Sequence, residues 1–317
     1  MIPPPPLAAL AVAQICDAIT GDPDWLYRRL PHPVVLIGRL IAALDKAWNR
    51  PEFSDNARLV RGGFCVTVLV CVCGAVGMII QAVTQLYTYG WVIDGVLMSV
   101  LIAQRSLYTH VRNVLTALTN DGLEAGRVAV GRIVGRDIST LDESGVSRGA
   151  IESLAENFSD GVVAPIFWGA VFGLPGMLAY KALNTADSMI GYRTEKYLHF
   201  GRLAARLDDA ANFVPARLAG PLIALAAGKG WKTMMADAKH HRSVNAGYPE
   251  AAMAGALGIR LSGPRAYDGG ITEEPWIGEG SDAAPAEIAT ALGIYTCACG
   301  LLFLLVIVGA VMMGIPH

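Results

Sequence analysis

The stretch that decides the fold covers residues 148–217 and reads RGAIESLAENFSDGVVAPIFWGAVFGLPGMLAYKALNTADSMIGYRTEKYLHFGRLAARLDDAANFVPAR. Carboxylates stand in it beside long apolar runs, with carboxamides and hydroxyls between them. Six of its acids stand there: Glu152, Glu156, Asp160, Asp187, Asp208 and Asp209. Acidic side chains in apolar surroundings are costly, so they indicate a site for a cation or a substrate. The rest of the chain then reads as a membrane scaffold for this cluster.

The composition favours an all-α, polytopic membrane protein. Of 317 residues, 53% are hydrophobic and 16% are charged, whereas a soluble domain carries about 25% charged residues. The net charge of −2 gives no basic footprint, so no nucleic-acid partner is expected. The length predicts one membrane-embedded domain over residues 1–317, with residues 148–217 as its acid-rich core.

Apolar runs predict about four to six membrane segments, since a helix needs about 20 apolar residues to cross. The clearest are residues 63–86 and 288–313, and residues 7–20 and 92–104 are shorter. These runs place the chain in a bilayer as a multi-pass protein.

Two further apolar runs are broken by proline and glycine. They cover residues 161–180 and 211–228. Broken helices at membrane depth often frame a binding site. Both are compatible with full spans, but re-entrant elements are favoured because they keep the acidic clusters on one face.

Lys and Arg residues predict the orientation. They are concentrated in residues 21–61, 105–159, 181–209 and 229–288, and are absent from the turn at 87–91. The basic regions are therefore expected in the cytoplasm, together with the acidic clusters. A bacterial inner membrane with a site facing the cytoplasm is the predicted location.

Three local features complete the outline. Residues 34–48 have apolar positions at helical spacing and are compatible with an amphipathic helix in the interface plane. Ser147 is the expected cap of a helix that starts near Arg148. Residues 263–287 are rich in Gly, Pro and acids and are expected to form a loop or flap.

The spacing of the acids suggests a metal site. Glu152, Glu156 and Asp160 stand at i, i+4 and i+8, which predicts one carboxylate stripe on a helix. Like charges at this spacing repel, so Mg²⁺ or basic side chains must offset them. A second helical face is shared by Lys181, Asn184, Asp187 and Ser188, and the run Asp208-Asp209-x-x-Asn212 adds more oxygen ligands. Each acid alone is most simply a solvated helix face; the group favours the metal site.

Several blocks together resemble the CbiB/CobD family of cobalamin biosynthesis, the membrane-bound adenosylcobinamide-phosphate synthases. The blocks are GDPDWLYRRLPHPVVLIGRLI (21–41), VGRDISTLD (134–142), SRGAIESLAENFSDGVVAPIFW (147–168), YKALNTADSMIGY (180–192), FGRLAARLDDAANFVPARLAG (200–220) and NAGYPEAAMAGALGIRLSGP (245–264). They follow in the family's order and are more specific together than any single motif. Val244 stands where the family pattern suggests proline, and residues 265–287 are longer and more acidic than expected.

The resemblance implies a carbon–nitrogen ligase. The implied reaction joins (R)-1-aminopropan-2-yl phosphate through an amide bond to the free propionate of adenosylcobyric acid, with ATP as the co-substrate and Mg²⁺ as the expected cofactor. The bilayer is a further expected partner. Contact with other membrane-bound cobalamin-assembly enzymes and assembly into a homo-oligomer stay open.

Roles for single residues are hypotheses from residue type at positions that the resemblance supports. The expected catalytic residues are Glu152, Glu156, Asp160, Asp187 and Lys181. The expected metal ligands are Glu156, Asp160, Asp187, Asp208 and Asp209. The expected substrate-binding residues are His32, Arg148, Asn157, Asn184, Ser188, Arg193, Arg202, Asn212, Arg217 and Asn245.

Three rival functions remain. A Mg²⁺-dependent membrane phospho-alcohol transferase would also use spaced acids on helices, and a transporter would also use broken helices around charges. A structural subunit gives no reason for six such acids. No Walker loop or dinucleotide fingerprint is present, so any nucleotide pocket is of another kind.

Overall fold

The computed structural model describes residues 6–135, 137–267 and 270–314. Helices dominate it, which confirms the all-α prediction. The α-helices are α1 (Pro6–Thr20), α2 (Asp24–Tyr27), α3 (Pro33–Trp48), α4 (Asp55–Thr84), α5 (Gly90–Ser99), α6 (Gln104–Asn120), α7 (Leu123–Val130), α8 (Glu143–Phe158), α9 (Ala164–Ile190), α10 (Arg202–Ala211), α11 (Phe213–Ala227), α12 (Trp231–Asp237), α13 (Gly247–Leu257) and α14 (Pro285–Gly314). A π-helix (Ser159–Val163) follows α8, and a 3₁₀-helix (Ala238–His240) follows α12.

The segment expected as a loop or flap contains short strands. These are β1 (Leu261–Ser262), β2 (Arg265–Tyr267), β3 (Gly270–Thr272) and β4 (Trp276–Ile277). β1 pairs antiparallel with β4, and β2 pairs antiparallel with β3. Short antiparallel pairs are therefore present around the segment predicted as a loop or flap, and we name the described residues of 259–283 the strap.

Four helical segments are long and apolar enough to cross a membrane, which confirms a polytopic membrane protein. They are Asp55–Thr84, Gly90–Asn120, Glu143–Ile190 and Pro285–Met313. Taken as one bent span, α10 and α11 would make a fifth, and α1 is a shorter apolar helix.

The predicted break in the 161–180 run is present in α9. Gly173 has φ 67° and ψ −154°, and Pro175 follows it inside the helix. The positive φ favours glycine. The Leu174 N–H donates instead to Gln81 Oε1 on α4 at 3.0 Å, so a side chain satisfies a backbone group that the kink releases. Whether this element spans or re-enters stays a prediction.

Cα positions separate the described chain into two compact units. The first contains residues 6–103, 164–212 and 305–314. Its core joins α3, α4 and α9 through buried residues such as Ile41, Leu69 and Ala186. Gly62 on α4 allows the backbone at Phe200 to approach, because a Cβ at Gly62 would collide with the Phe200 carbonyl. This contact fixes the loop between α9 and α10.

The second unit contains residues 104–163 and 213–304. Within it α6 packs against α7 and α8, α11 against α13, and α8 also contacts β1. Buried side chains on α6 and α8 include Val111, Val114, Val146 and Ile151. A single functional domain over residues 1–317 stays a prediction.

Candidate functional site

A buried carboxylate network lies where α9 meets α10 in the first unit. Asp208 is 7% exposed and accepts hydrogen bonds from two side-chain amides. Asn212 Nδ2 donates to Asp208 Oδ2 at 2.9 Å, and Asn184 Nδ2 lies 3.4 Å from Oδ1. The Tyr180 hydroxyl donates to Asn212 Oδ1 at 2.8 Å. We call these four residues the Asp208 network, and it orients one carboxylate through side chains alone.

The network follows from helical spacing. Tyr180 and Asn184 are four residues apart on α9, and Asp208 and Asn212 are four apart at the end of α10. Such pairs lie on one face of a helix, one turn apart. The packing of α9 against α10 brings the two pairs together. A further hydrogen bond joins the two helices, because Trp168 Nε1 on α9 donates to the Ala211 carbonyl on α10 at 3.1 Å.

Two further acids belong to the same region. The charges of Asp187 on α9 and Asp209 on α10 both act on Asp208, and Asp209 also acts on Asp187. Asp187 is half-buried, whereas Asp209 is exposed and interacts with the charge of Arg193. Gly191 closes over Asp187, because a Cβ there would collide with the Asp187 carboxylate. Three neighbouring carboxylates repel one another, so a cation would stabilise them.

The donor set suits a hard cation, but it is not a preformed cage. Carboxylate and amide oxygens are the ligands that Mg²⁺ prefers, and Mg²⁺ usually takes only one or two carboxylates, with waters and substrate phosphates. Across the ranges that the structure describes, no three His, Cys, Asp or Glu side chains are grouped to hold a metal ion. A metal there would therefore need oxygens from a substrate.

Other predicted residues of the first unit surround this region with less direct contacts. The Ser188 hydroxyl donates to the Asn184 carbonyl at 2.9 Å, so it faces its own helix. Lys181 is half-buried on α9, while Arg193 and Arg202 are exposed at the loop and at the start of α10. The two exposed arginines are accessible to an anionic ligand.

His32 caps α3. Its Nδ1 accepts from the Val34 N–H at 3.1 Å, and Pro33 occupies the first helical position. Since Nδ1 accepts, Nε2 carries the proton, and it lies 3.4 Å from Asp22. The ring also contacts Tyr27, with centroids 4.6 Å apart. The structure therefore gives His32 a local role, and its predicted role in substrate binding stays a prediction.

In the second unit, α8 begins before the predicted cap. Asp142 caps the helix, with Oδ1 accepting from the Gly145 N–H at 2.7 Å. Ser147 is buried inside α8, so the expectation that it caps the helix is wrong. An Asp cap and an acidic first turn explain the earlier start, since both stabilise a helix N-terminus.

The acids of α8 do not form one exposed stripe. Glu152 is 5% exposed, Glu156 is exposed, and Asp160 lies half-buried in the π-helix. A π-turn changes the angular step, which moves later residues off the helical stripe. Asn157 Nδ2 donates to the Ser153 carbonyl at 2.9 Å.

Glu152 is tied to the strap. Its Oε1 accepts from the backbone N–H of Ser262 at 2.7 Å. Ser262 has φ 62°, a left-handed conformation that is unusual for a residue other than glycine. Ser262 Oγ also lies 3.4 Å from Glu274, which pairs with Arg242 at 3.6 Å. The carboxylate of Glu152 thus holds a strained backbone position.

Arg217 on α11 holds the turn that precedes α13. Its guanidinium donates to Asn245 Oδ1 at 3.2 Å and to the Val244 carbonyl at 3.3 Å. The same group stacks on the rings of Phe213 and Tyr248, at 3.5 and 4.4 Å from their centroids. Arg217 and Asn245, both expected to bind substrate, are therefore in contact, with aromatic side chains beside them that the sequence analysis did not include. Their role in substrate binding stays a prediction.

Comparison with known proteins identifies the family. The model of the CobD/Cbib protein family matches residues 10–295. The chain belongs to the CobD/Cbib family. Its relatives include proteins named "Cobalamin biosynthesis protein CobD" from Sinorhizobium sp (50% identity over 305 residues, 92% of this chain and 94% of the relative), Rhodobacter capsulatus (49% over 295 residues, 91% and 92%) and Brucella suis biovar 1 (48% over 286 residues, 86% and 86%). No solved structure matches the chain.

Membership of the CobD/Cbib family supports a role in cobalamin biosynthesis, as an enzyme of that process. This confirms the resemblance seen in the sequence blocks. The match covers both the Asp208 network and the strap. Tyr180 was missed as a site residue, although its position four residues before Asn184 placed both on one helical face.

Proposed function

We propose that this CobD/Cbib chain joins (R)-1-aminopropan-2-yl phosphate to the propionate carboxylate of adenosylcobyric acid, in an ATP-dependent reaction that gives adenosylcobinamide phosphate. Family membership supports the pathway, and the Asp208 network supports the phosphoryl chemistry. The single observation that carries the proposal is a buried carboxylate held by two amides with two more carboxylates beside it.

The reaction needs activation because a carboxylate is a poor electrophile at neutral pH. In the proposed first step, a propionate oxygen attacks the γ-phosphorus of ATP, which forms an acyl phosphate and releases ADP. In the second step, the amine attacks the acyl carbon, the amide bond forms, and phosphate leaves with the C–O electron pair. The amine loses one proton to a base, and a carboxylate near the amine would accept it.

Asp187, Asp208 and Asp209 are the proposed acids of the phosphate end. Mg²⁺, when bound, would neutralise phosphate charge in the transfer. Asp187 and Asp209 are the better candidates for direct ligands because they are less buried than Asp208. Asp208, which Asn184 and Asn212 hold in a buried position, would then fix the positions of Asp187 and Asp209 and influence their charge.

Cationic side chains are the proposed phosphate clamps. Arg193 is exposed and its charge acts on Asp209, Arg202 is exposed at the start of the helix that carries Asp208, and Lys181 lies on the same helix as Asp187. In the second unit, Arg217 and Asn245 are proposed to bind substrate as one preorganised pair. Substrate contacts for His32, Arg148, Asn157 and Ser188, and metal or acid–base roles for Glu156 and Asp160, belong to the same proposal. Glu152, first expected to be catalytic, is instead proposed to hold the strap through Ser262.

The proposed location is the bacterial inner membrane, with the site open to the cytoplasm. Lys and Arg favour the cytoplasmic side. Arg58 and Arg61 stand in the first turns of α4, and Arg58 donates to the carbonyl of Lys196 in the loop before α10. This places basic side chains of the first unit at one end of α4, next to the loop that leads to Asp208.

The test is mass spectrometry of the purified full chain with adenosylcobyric acid, aminopropanol phosphate and ATP. Adenosylcobinamide phosphate and ADP should form with Mg²⁺ and not with a chelator. If no mixture yields this product, the proposal is wrong. Transfer of a phospho-alcohol to lipid would indicate the transferase, and uptake into vesicles without new products would indicate a transporter.

A genetic test separates the acids. In a vitamin B12 auxotroph supplied with cobyric acid, Asp187→Asn and Glu156→Gln should prevent growth. Asp121→Asn, an exposed carboxylate outside the acid clusters, is the matched control and should allow growth. Full growth of both test variants contradicts the proposed roles.

A further inference from the structure

One side of α3 is buried and the other is an apolar surface that carries cations. Ile37 and Ile41 lie in the core with α4 and α9. The opposite side consists of seven exposed residues, which we name the α3 outer face: Val35, Leu36, Arg39, Ala42, Ala43, Lys46 and Ala47. Five are apolar and two are cationic, and none is acidic. Asp45, the acid of α3, points away and pairs with Lys196 at 2.7 Å.

The residues before α3 continue this pattern. Trp25 is 69% exposed and Leu30 is 59% exposed, and Arg28 and Arg29 between them are exposed as well. Within the part of the chain that the structure describes, no carboxylate pairs with Arg28, Arg29 or the two cations of the α3 outer face. The nearby Asp22 lies instead beside His32. Exposed apolar side chains and cations therefore also stand in the residues that lead into α3.

The packing of α3 fixes its level along α4. Its core partners there include Cys65 and Leu69. The ring centroids of Trp48 and Phe64 lie 5.3 Å apart. The uncharged part of α4 begins at Gly62. The same cluster also includes Cys73. With a rise of about 1.5 Å per residue, the α4 residues packed in this cluster lie within the first ~17 Å of that apolar part, starting at its charged end. That end is the depth at which a bilayer changes from headgroups to acyl chains.

We propose that the α3 outer face, with Arg28 and Arg29, lies in the membrane interface and binds the headgroups of anionic phospholipids. Val35, Leu36, Trp25 and Leu30 enter the boundary of the acyl chains, as in amphipathic interfacial helices. The cations contact lipid phosphates. The absence of acid on this face favours an anionic lipid over a zwitterionic one. The proposal does not depend on the proposed reaction.

The first experiment measures lipid selectivity. The full chain in mild detergent is incubated with equal amounts of phosphatidylglycerol and phosphatidylcholine, and native mass spectrometry counts the bound lipids of each kind. Each cation beside an anionic surface favours binding about fivefold. The double variant Arg39→Gln with Lys46→Gln should therefore lower the ratio of bound phosphatidylglycerol to phosphatidylcholine by at least about fivefold.

A matched control keeps the charge. Arg39→Lys with Lys46→Arg changes the same two positions and should leave the ratio unchanged. Equal ratios for the two double variants would overturn the proposal, whether both stay at the wild-type value or both fall. An equal fall would come from the altered surface rather than from charge.

The second experiment measures depth. The full chain is reconstituted into vesicles that contain brominated phosphatidylglycerol, and the fluorescence of the wild type is compared with that of Trp25→Phe. The proposal expects the Trp25 contribution to be strongly quenched. An unquenched Trp25 contribution would overturn it, since the face would then meet water or another protein.

Discussion

Asp208 and Glu152 are both buried carboxylates, but they are held in different ways. Asp208 is oriented by two side-chain amides on α9 and at the end of α10. Glu152 accepts a backbone N–H from Ser262, whose φ is positive. Side-chain donors can turn toward a ligand when it arrives, whereas a backbone tie fixes a segment of chain. The comparison indicates chemistry at Asp208 and architecture at Glu152.

The charged neighbours of Asp208 and Glu152 also differ. Asp208 has two other carboxylates near it, Asp187 and Asp209. Glu152 is the buried acid of a helix whose next acid, Glu156, is exposed. A cation is needed most where charges of one sign gather. Substitutions at four positions test this contrast, in order of expected effect.

Asp208→Asn should have the largest effect. It removes the central charge while keeping the size of the side chain, and synthase activity should fall by about 10- to 100-fold. Product formation by mass spectrometry at several Mg²⁺ concentrations measures it. Asp121→Asn is the control, and size-exclusion profiles check that both variants fold. Activity within threefold of wild type would remove Asp208 from the site.

Gly191→Ala should have the next largest effect. The added Cβ collides with the Asp187 carboxylate, so the acid must move. Displacement by about 1 Å at a reacting site costs activity, and a loss of about tenfold is expected. Gly135→Ala is the matched control because a Cβ there meets nothing within 4 Å. Equal activity of the two variants would mean that the position of Asp187 is unimportant.

The function of Glu152 should depend on its hydrogen bond from the Ser262 N–H rather than on its negative charge. Glu152→Gln keeps an oxygen that accepts from the Ser262 N–H, so activity and thermal stability should stay close to wild type. Glu152→Ala leaves that buried N–H without its acceptor, which should cost about 1–3 kcal/mol of stability. Thermal unfolding in detergent and the synthase assay measure the pair. A large loss of activity in Glu152→Gln with normal stability would show a catalytic role instead.

The sequence predicted a helix or a helix break correctly where a single strong local pattern marks it. A run without charge from Gly63 to Leu86 predicted α4, although the helix begins earlier, at Asp55, because Ser54 caps it. Gly173 and Pro175 predicted the break in α9. The cap of α8 was misplaced at Ser147, since a serine before an apolar run resembles a cap as much as Asp142 does.

The site was harder to predict because it depends on packing. Spacing placed Asn184 and Asp187 on one helical face, but only the contact of α9 with α10 decides that Asn184 reaches Asp208. The strands of the strap are two or three residues long, and each needs a partner that lies elsewhere in the segment. Gly- and Pro-rich composition therefore indicated a loop. The π-helix that displaces Asp160 had no signal that periodicity could reveal.

The smallest expected effect comes from removing the Arg260–Asp282 ion pair at the surface of the strap. Arg260 Nε donates to Asp282 at 2.7 Å, and both side chains are about half exposed. This hydrogen bond lowers the pKa of Asp282. A carboxylate with a lowered pKa stabilises the fold above its unfolded pKa of about 3.9 and loses this effect as the pH falls. Asp282→Asn should therefore lower the melting temperature slightly at pH 7, and the difference from wild type should vanish at lower pH, where Asp282 becomes protonated.

Differential scanning fluorimetry at pH 7 and near pH 2, below the lowered pKa of Asp282, measures this small difference, with Glu152→Ala run beside it. Exposed ion pairs contribute little because water and salt screen them. The buried tie at Glu152 should therefore dominate the stability of the strap at both pH values. If Asp282→Asn destabilises the protein as much as Glu152→Ala does, the strap is held from its surface, and the contrast between a structural Glu152 and a reactive Asp208 loses its basis.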